Sequence, residues 1–243
     1  MGNSLIIAQN ISKTFVAKGL FSAKKENHVL HHVDLEIYNN ETLALVGESG
    51  CGKTTLGRII LGLEKPTDGN ILFEGENIFS KKEVKKEMRK NMQMVFQDPY
   101  ASLDPKMKVE EILMEPLLAN KVYTNKKEAR KKVKELLEIV GLNETHMKRY
   151  PYQFSGGQRQ RIGIARALAL EPAFIACDEP VSALDVSVQA QILNLLKEIQ
   201  KNRNLSLLFI SHDLGVVRYI ADRVAIMYLG RICEIGSVEE VYT

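Results

Sequence analysis

Residues 43–55 read Leu43-Ala44-Leu45-Val46-Gly47-Glu48-Ser49-Gly50-Cys51-Gly52-Lys53-Thr54-Thr55. A short apolar run enters a turn that matches G-x-x-x-x-G-K-[ST]. Leu56-Gly57-Arg58-Ile59-Ile60-Leu61 then continues with helical character and closes at Gly62. A strand, a glycine loop and a helix in that order point to an α/β fold whose loop curls around an anion. Gly47, Gly50 and Gly52 permit positive φ, so successive N–H groups can turn inward on a polyphosphate. A helix starting near Lys53 adds unpaired N–H groups and the positive end of its dipole. Lys53 is expected to reach the β and γ oxygens, and the Thr54 hydroxyl to ligate Mg²⁺. Glu48, Ser49, Cys51 and Thr55 complete the expected nucleotide-contacting stretch. The competing reading, a plain glycine turn with a chance lysine, is weakened by the strand before it and the helix after it.

Upstream, Leu5-Ile6-Ile7-Ala8 and Val33-Asp34-Leu35-Glu36-Ile37 read as strands, with a polar loop from Lys18 to Asn27 between them. Pro66-Thr67-Asp68-Gly69 marks a turn, Ile71-Leu72-Phe73 a strand and Glu74-Gly75-Glu76 a second turn. Together these predict an antiparallel β layer. From Pro99 to Gln153 the alternation gives way to helices around Val109 to Ala119 and Lys126 to Val140, an inserted helical lobe. In the second helix Ala129, Val133, Leu136, Leu137 and Val140 share a face; Asn125 and Glu128 form a capping pair, and Gly141 ends it.

Two further apolar runs, Ala173 to Cys177 and Leu205 to Ile210, flank a helix over Val188 to Gln200, the pattern of buried parallel strands. The first ends in Asp178-Glu179. Carboxylates at the carboxyl end of a buried strand sit where α/β sheets bind ligands, and this pair suits a metal and a water. Asp178 would hold the metal, while Glu179 would act on the attacking water as base or orienter. Taken alone, the pair also fits acidic caps of the next helix. Gln97, after Met94-Val95-Phe96, is placed to reach metal and water, and His212, after the second run, the γ-phosphate. Ser155-Gly156-Gly157-Gln158 opens another helix, with Ser155 as N-cap and Ile162, Ala165, Leu168 and Ala169 on one face.

The 243 residues are 45% hydrophobic and carry a formal net charge of +3, enough apolar content for a large core and too little charge to imply nucleic acid. Lys81 to Lys90 and Lys126 to Glu135 each hold six basic and two acidic residues, +8 together, so the remainder is acidic. Both runs read as solvated faces, with contact to a nucleic acid or phospholipid as the alternative. No run of about 18 apolar residues is present to span a bilayer. Cys51, Cys177 and Cys233 are too scattered for a disulfide framework and suit a reducing compartment. Cys51 sits in the anion loop near Lys53 and a helix start, so alkylation there is expected to block nucleotide binding, the alternative being that Cys51 is only a variable loop position.

In this order the phosphate loop, Gln97, Phe154-Ser155-Gly156-Gly157-Gln158, Asp178-Glu179, Ser182-Ala183-Leu184-Asp185 and His212 resemble the ATP-binding subunits of ABC transporters, from about Leu5 onward. The resemblance implies a RecA-like P-loop NTPase core with an antiparallel β layer and an inserted α-helical subdomain. The core would run over residues 1–97 and 166–243, and the helical part over 98–165. It further implies ATP and Mg²⁺, the metal served by Thr54, Gln97 and Asp178, with Lys53, Gln97, Glu179 and His212 in catalysis. Phe15 is similar to the aromatic that stacks on adenine, though a buried strand-end residue is the rival assignment. Two such chains meet head to tail, as a homodimer or with a paralogue. Ser155, Gly156, Gly157, Gln158 and Asp185 then face the nucleotide of the partner.

The loop between Phe15 and Val33, the run Gln97-Asp98-Pro99-Tyr100-Ala101-Ser102-Leu103-Asp104-Pro105 and the signature Ser155 to Arg161 look like the peptide/nickel importer group, in particular its second ATPase. Integral-membrane permease subunits, indirectly an extracellular binding protein, and a place on the cytoplasmic face of the membrane follow from that resemblance. Members of the group often continue into a tail, whereas this sequence stops at Thr243, which suggests a trimmed chain or a shorter metal or metallophore importer. The rival function is a soluble ABC ATPase without a membrane partner. A nucleotide-binding module without turnover is disfavoured by the presence of Glu179 and His212.

Overall fold

The structure, a computed structural model, describes residues 3–17 and 25–242. In chain order these form β1 (Ser4–Ala17), β2 (Lys25–Tyr38), β3 (Thr42–Val46), α1 (Lys53–Ile60), β4 (Asp68–Phe73), β5 (Glu76–Asn77), α2 (Lys82–Asn91) and β6 (Met92–Val95). After α3 (Val109–Ala119) and α4 (Lys126–Ile139) come 3₁₀ turns at Glu144–Lys148 and Pro151–Gln153. Then follow α5 (Gly156–Leu168), β7 (Phe174–Asp178), α6 (Val186–Arg203), β8 (Ser206–Ser211), α7 (Leu214–Ile220), β9 (Arg223–Tyr228), β10 (Arg231–Ser237) and α8 (Val238–Val241). The chain divides into two compact units, residues up to Arg89 with those from Ser206 onward, and Lys90–Leu205.

In the first unit β3 lies between β8 and β9, parallel to both, and β10 closes antiparallel on β9. Every residue of β3 and β8 is buried, which is why both strands read as unbroken apolar runs rather than alternating ones. Ala44 and Val46 pack with Val217 of α7 and Val224 of β9, and Val238, Val241 and Tyr242 close over them. The second layer is antiparallel, in the order β2-β1-β4-β5. Here Ile6, Ala8, Ile11, Val33, Leu35 and Ile37 go inside and their neighbours mostly face out.

In the second unit β6 and β7 run parallel. Ile112, Leu113 and Leu117 of α3, Ala129, Val133, Leu136 and Leu137 of α4, and Ile162, Ala165 and Leu168 of α5 are all buried. The helical periodicity read from residues 129–140 therefore marks a true core face.

Several boundaries differ from the sequence expectation. Residues 18–24 of the expected polar loop lie outside the described residues, and Lys25 to Asn27 already belong to β2. Asp68 and Gly69 belong to β4 rather than to the turn before it, because the pairing of β4 with β1 extends as far as Ser12 opposite Asp68. Asn125 caps α4 by accepting from the Lys127 N–H at 2.7 Å, without the reciprocal bond expected from Glu128. Helix α5, by contrast, begins at Gly156 with Ser155 as its N-cap, as expected.

Candidate functional site

The glycine loop leaves the carboxyl end of β3 and enters α1 at Gly52, whose φ of 109° and ψ of 1° make it a left-handed N-cap without a side-chain cap bond. Lys53 is 6% exposed, and its ammonium donates to the carbonyls of Gly47 and Glu48, both at 2.8 Å. A buried cation held by two loop carbonyls and, at 4.0 Å, by the Cys51 sulfur, with no carboxylate among these partners, at a helix start rich in unpaired N–H groups, leaves the pocket with net positive potential. It thus fits a polyphosphate.

The protein itself dictates the glycine at position 47. A Cβ there would lie 2.1 Å from the Met227 carbonyl oxygen and 2.9 Å from Cys51 Sγ. Gly50 has no protein atom within 4 Å of its Cβ direction, and its φ of 81° lies in the left-handed region that favours glycine. A brace missed by sequence reasoning holds the loop: Gly230, in the turn between β9 and β10, donates to the Cys51 carbonyl at 3.0 Å and accepts from the His31 N–H at 2.9 Å. The glycine in that turn is the one sequence sign of it.

Parallel register places His212. Val46 pairs with Ser211, so Gly47 and His212 emerge from the same edge of adjacent strands, and His212 is exposed. Phe15, on β1, is 41% exposed, with Lys13 Nζ 4.8 Å from its ring centroid. Its ring is therefore not a buried strand-end residue.

The second unit repeats this logic. Val95 pairs with Cys177, and two residues beyond each strand pairing Gln97 Nε2 donates to Glu179 Oε2 at 2.9 Å. Asp178 is 5% exposed. Burial, and then the Asp178 carboxylate, push the neighbouring Cys177 thiol up to about 12. Glu179 has φ 44°, a left-handed conformation unusual for a side chain of this kind and of the sort that gathers at functional sites. The next helix, α6, has Asp185 at its N-cap position, without a side-chain cap bond, so Asp178 and Glu179 lie six or more residues before its cap.

At the start of α5, Ser155 Oγ accepts from the Gln158 N–H at 3.3 Å while Gln158 Oε1 accepts from the Ser155 N–H at 3.1 Å. These bonds use the acceptors of both side chains, so the Ser155 hydroxyl and the Gln158 amide retain donors for an anion. The Gly156 and Gly157 N–H groups lie in the same first turn.

A strand-edge phosphate loop with a buried lysine, and a second strand edge carrying an aspartate and a glutamate, define a P-loop nucleotide-binding protein of the ATP-binding cassette class. The chain belongs to the ABC transporter family, whose model matches residues 30–182. It is 57% identical over 212 residues to the oligopeptide transport ATP-binding protein OppF of Bacillus subtilis, covering 86% of this chain and 70% of that protein. It is 53% identical over 222 residues to the dipeptide transport ATP-binding protein DppF of Lactococcus lactis, covering 90% and 71% respectively. Among solved structures, the dimeric post-hydrolysis state of the ATP-binding cassette MJ0796 bound to ADP and Pi matches with a TM-score of 0.84 at 29% identity. That match covers 96% of this chain and 98% of the other. The cassette cbiO1 of Clostridium perfringens, part of the ABC transporter complex cbiONQ, also reaches 0.84, at 28% identity, covering 99% and 91%. The fold is that of an ABC cassette, with a parallel sheet and an antiparallel β subdomain.

Proposed function

We propose that this chain is the ATP-hydrolysing subunit of an importer for oligopeptides or dipeptides, paired with a second cassette and driving integral-membrane permease subunits from the cytoplasmic face. The cargo class is supported by the identity to OppF and DppF, and pairing by the dimeric state of MJ0796. Among the described residues no helix is long and apolar enough to cross a membrane, so the transport path would belong to other subunits. We assign the helical subdomain to residues 98–165.

The observation that carries the hydrolytic reading is the Gln97–Glu179 bond. It fixes one carboxylate oxygen of Glu179, so the group is oriented to accept a proton from an attacking water. Gln97 donates through its nitrogen, which leaves its carbonyl oxygen as the end suited to a metal. Lys53 and the loop amides neutralise phosphate charge as it shifts toward the leaving oxygen, and His212 holds the γ-phosphate. Thr54, Gln97 and Asp178 supply only oxygen donors, which suits Mg²⁺. When bound, that ion would neutralise charge on the β and γ oxygens. Phe15 offers a ring to adenine. Ser155 to Gln158 and Asp185 serve the nucleotide of the paired cassette.

Glu179→Gln is expected to retain ATP binding, measured with a fluorescent nucleotide, and to lower phosphate release at least about 100-fold. Near-normal release would remove Glu179 from this role. Co-purification of integral membrane proteins separates the importer from a soluble ATPase.

A further inference from the structure

The segment after Gln97 has no regular structure, yet it is tied along one face of α5. Asp98 folds it into a turn, its side chain accepting from the Tyr100 N–H at 2.7 Å and its carbonyl from the Ser102 N–H at 3.1 Å. Two arginines then grip that turn. The Arg159 guanidinium lies 3.7 Å from the centroid of the Tyr100 ring, and its Nε donates to the Pro151 carbonyl at 2.7 Å. The Arg166 NH1 donates to the Ser102 carbonyl at 2.5 Å. Seven residues apart, the two side chains leave the same face of the helix two turns from each other.

Arg159 is 8% exposed and, among the described residues, forms no ion pair; a carbonyl and an aromatic face are its contacts. An apolar residue would fill that space at lower desolvation cost. What the guanidinium adds is direction, a planar stack and a directed N–H that together set where Tyr100 stands. Tyr100 itself is 61% exposed, so its ring contributes little to the core. The same α5 begins at the Ser155–Gln158 cap four residues before Arg159, and Tyr100 lies three residues beyond Gln97.

We propose that Arg159 and Tyr100 are positioning residues that join the signature turn of α5 to the Gln97–Glu179 bond, so that engagement of the signature by a paired cassette is felt at the hydrolytic carboxylate. The inference rests on the assignment of Glu179 and Gln97 to hydrolysis. The link runs from Ser155, whose carbonyl accepts from the Arg159 N–H at 2.9 Å, to Tyr100 through the stack, then along three residues of backbone to Gln97 and through its hydrogen bond to Glu179, all within one unit. It also gives the exposed Tyr100 a purpose that packing does not.

The test uses the purified full chain with Tyr100→Phe, which keeps the ring face, Tyr100→Leu, which removes it, Arg159→Gln, and the Arg159→Gln/Tyr100→Leu double variant. Tyr100→Phe is expected to hydrolyse ATP within about twofold of the parent, and Tyr100→Leu to lose about tenfold in kcat with KM for ATP within about twofold. The double variant is expected to be no slower than the slower single one, since both break the same link. Thermal midpoints of the two Tyr100 single variants should stay within about 2 °C, as the ring is not core. Hydrogen exchange should rise in Tyr100→Leu both over residues 96–103 and over 155–160, and remain at the parent level in Tyr100→Phe.

Unchanged kcat in Tyr100→Leu, equal losses in Phe and Leu variants, or additive losses in the double variant would each overturn the proposal. Glu179→Gln run in parallel distinguishes the two levels. Normal hydrolysis by that variant defeats the hydrolytic assignment, whereas the exchange measurement still decides the mechanical link, and unchanged exchange in either segment of Tyr100→Leu sinks it.

Discussion

A Cβ on Gly157 would lie 2.3 Å from Cγ1 of Val188 and 3.7 Å from its Cβ. The first distance is impossible and the second is an ordinary contact. The sequence reading gave this glycine to a phosphate, yet its own helical neighbour already requires it, just as Met227 requires Gly47. Gly157→Ala is therefore expected to destabilise the protein by about 1–3 kcal/mol, the usual cost of overpacking. Adding Val188→Ala should recover most of the lost thermal midpoint, because truncation leaves only the 3.7 Å neighbour. If the double variant melts as low as Gly157→Ala, that close approach is not the reason for the glycine. Phosphate release by the same pair then reports whether the partner's nucleotide needs the bare backbone as well.

Among elements, α4 and the segment after α5 are joined by an ion pair. Lys132 Nζ lies 2.5 Å from Glu171 Oε1, with side-chain exposures of 13% and 63%. The bond from Lys132 and its charge hold the Glu171 carboxyl below its ordinary 4.5. A carboxyl depressed by folding stabilises the native state above its unfolded value, and that contribution fades as pH falls through the folded value. One partner is exposed, so solvent limits the pair to less than about 1 kcal/mol. In urea denaturation across pH, Glu171→Gln is expected to be less stable than the parent by a constant amount from about pH 6 to 8, with the gap closing below about pH 4. A gap as wide at pH 3 as at pH 7 would show that the pair's charge contributes nothing. Element boundaries bear on the capping question too, since α6 starts only at Val186, after Asp185 at its N-cap position, and Asp178 ends β7 well before it.

Across the whole molecule the three thiols differ in environment. Cys233 is exposed, Cys51 is 6% exposed inside the phosphate loop, and Cys177 is fully buried with its thiol pushed up to about 12. Maleimide labelling followed by peptide mass spectrometry should therefore proceed in the order Cys233, Cys51, Cys177, with Cys177 silent until the protein unfolds. ATP is expected to slow Cys51 further while leaving Cys233 unchanged. Equal Cys51 rates with and without nucleotide would show that Cys51 is only a variable position of the loop.

Local pattern alone determined most of the architecture. The unbroken apolar run of β3, the glycines and lysine after it, the apolar face of α4 and the serine at the start of α5 each depend on residues within a turn or two of one another. Backbone hydrogen bonding and burial act at that range. Tertiary structure decided how those pieces are used. Gln97 meets Glu179 across 82 residues because parallel register aligns the ends of β6 and β7, and no periodicity encodes register. The cation–π stack of Arg159 on Tyr100, the exposure of Phe15 and the carbonyl that forbids a side chain at Gly47 likewise depend on distant neighbours. A strand or helix can be read from its own residues, but the partner that gives each side chain its role arrives only when the chain folds back on itself.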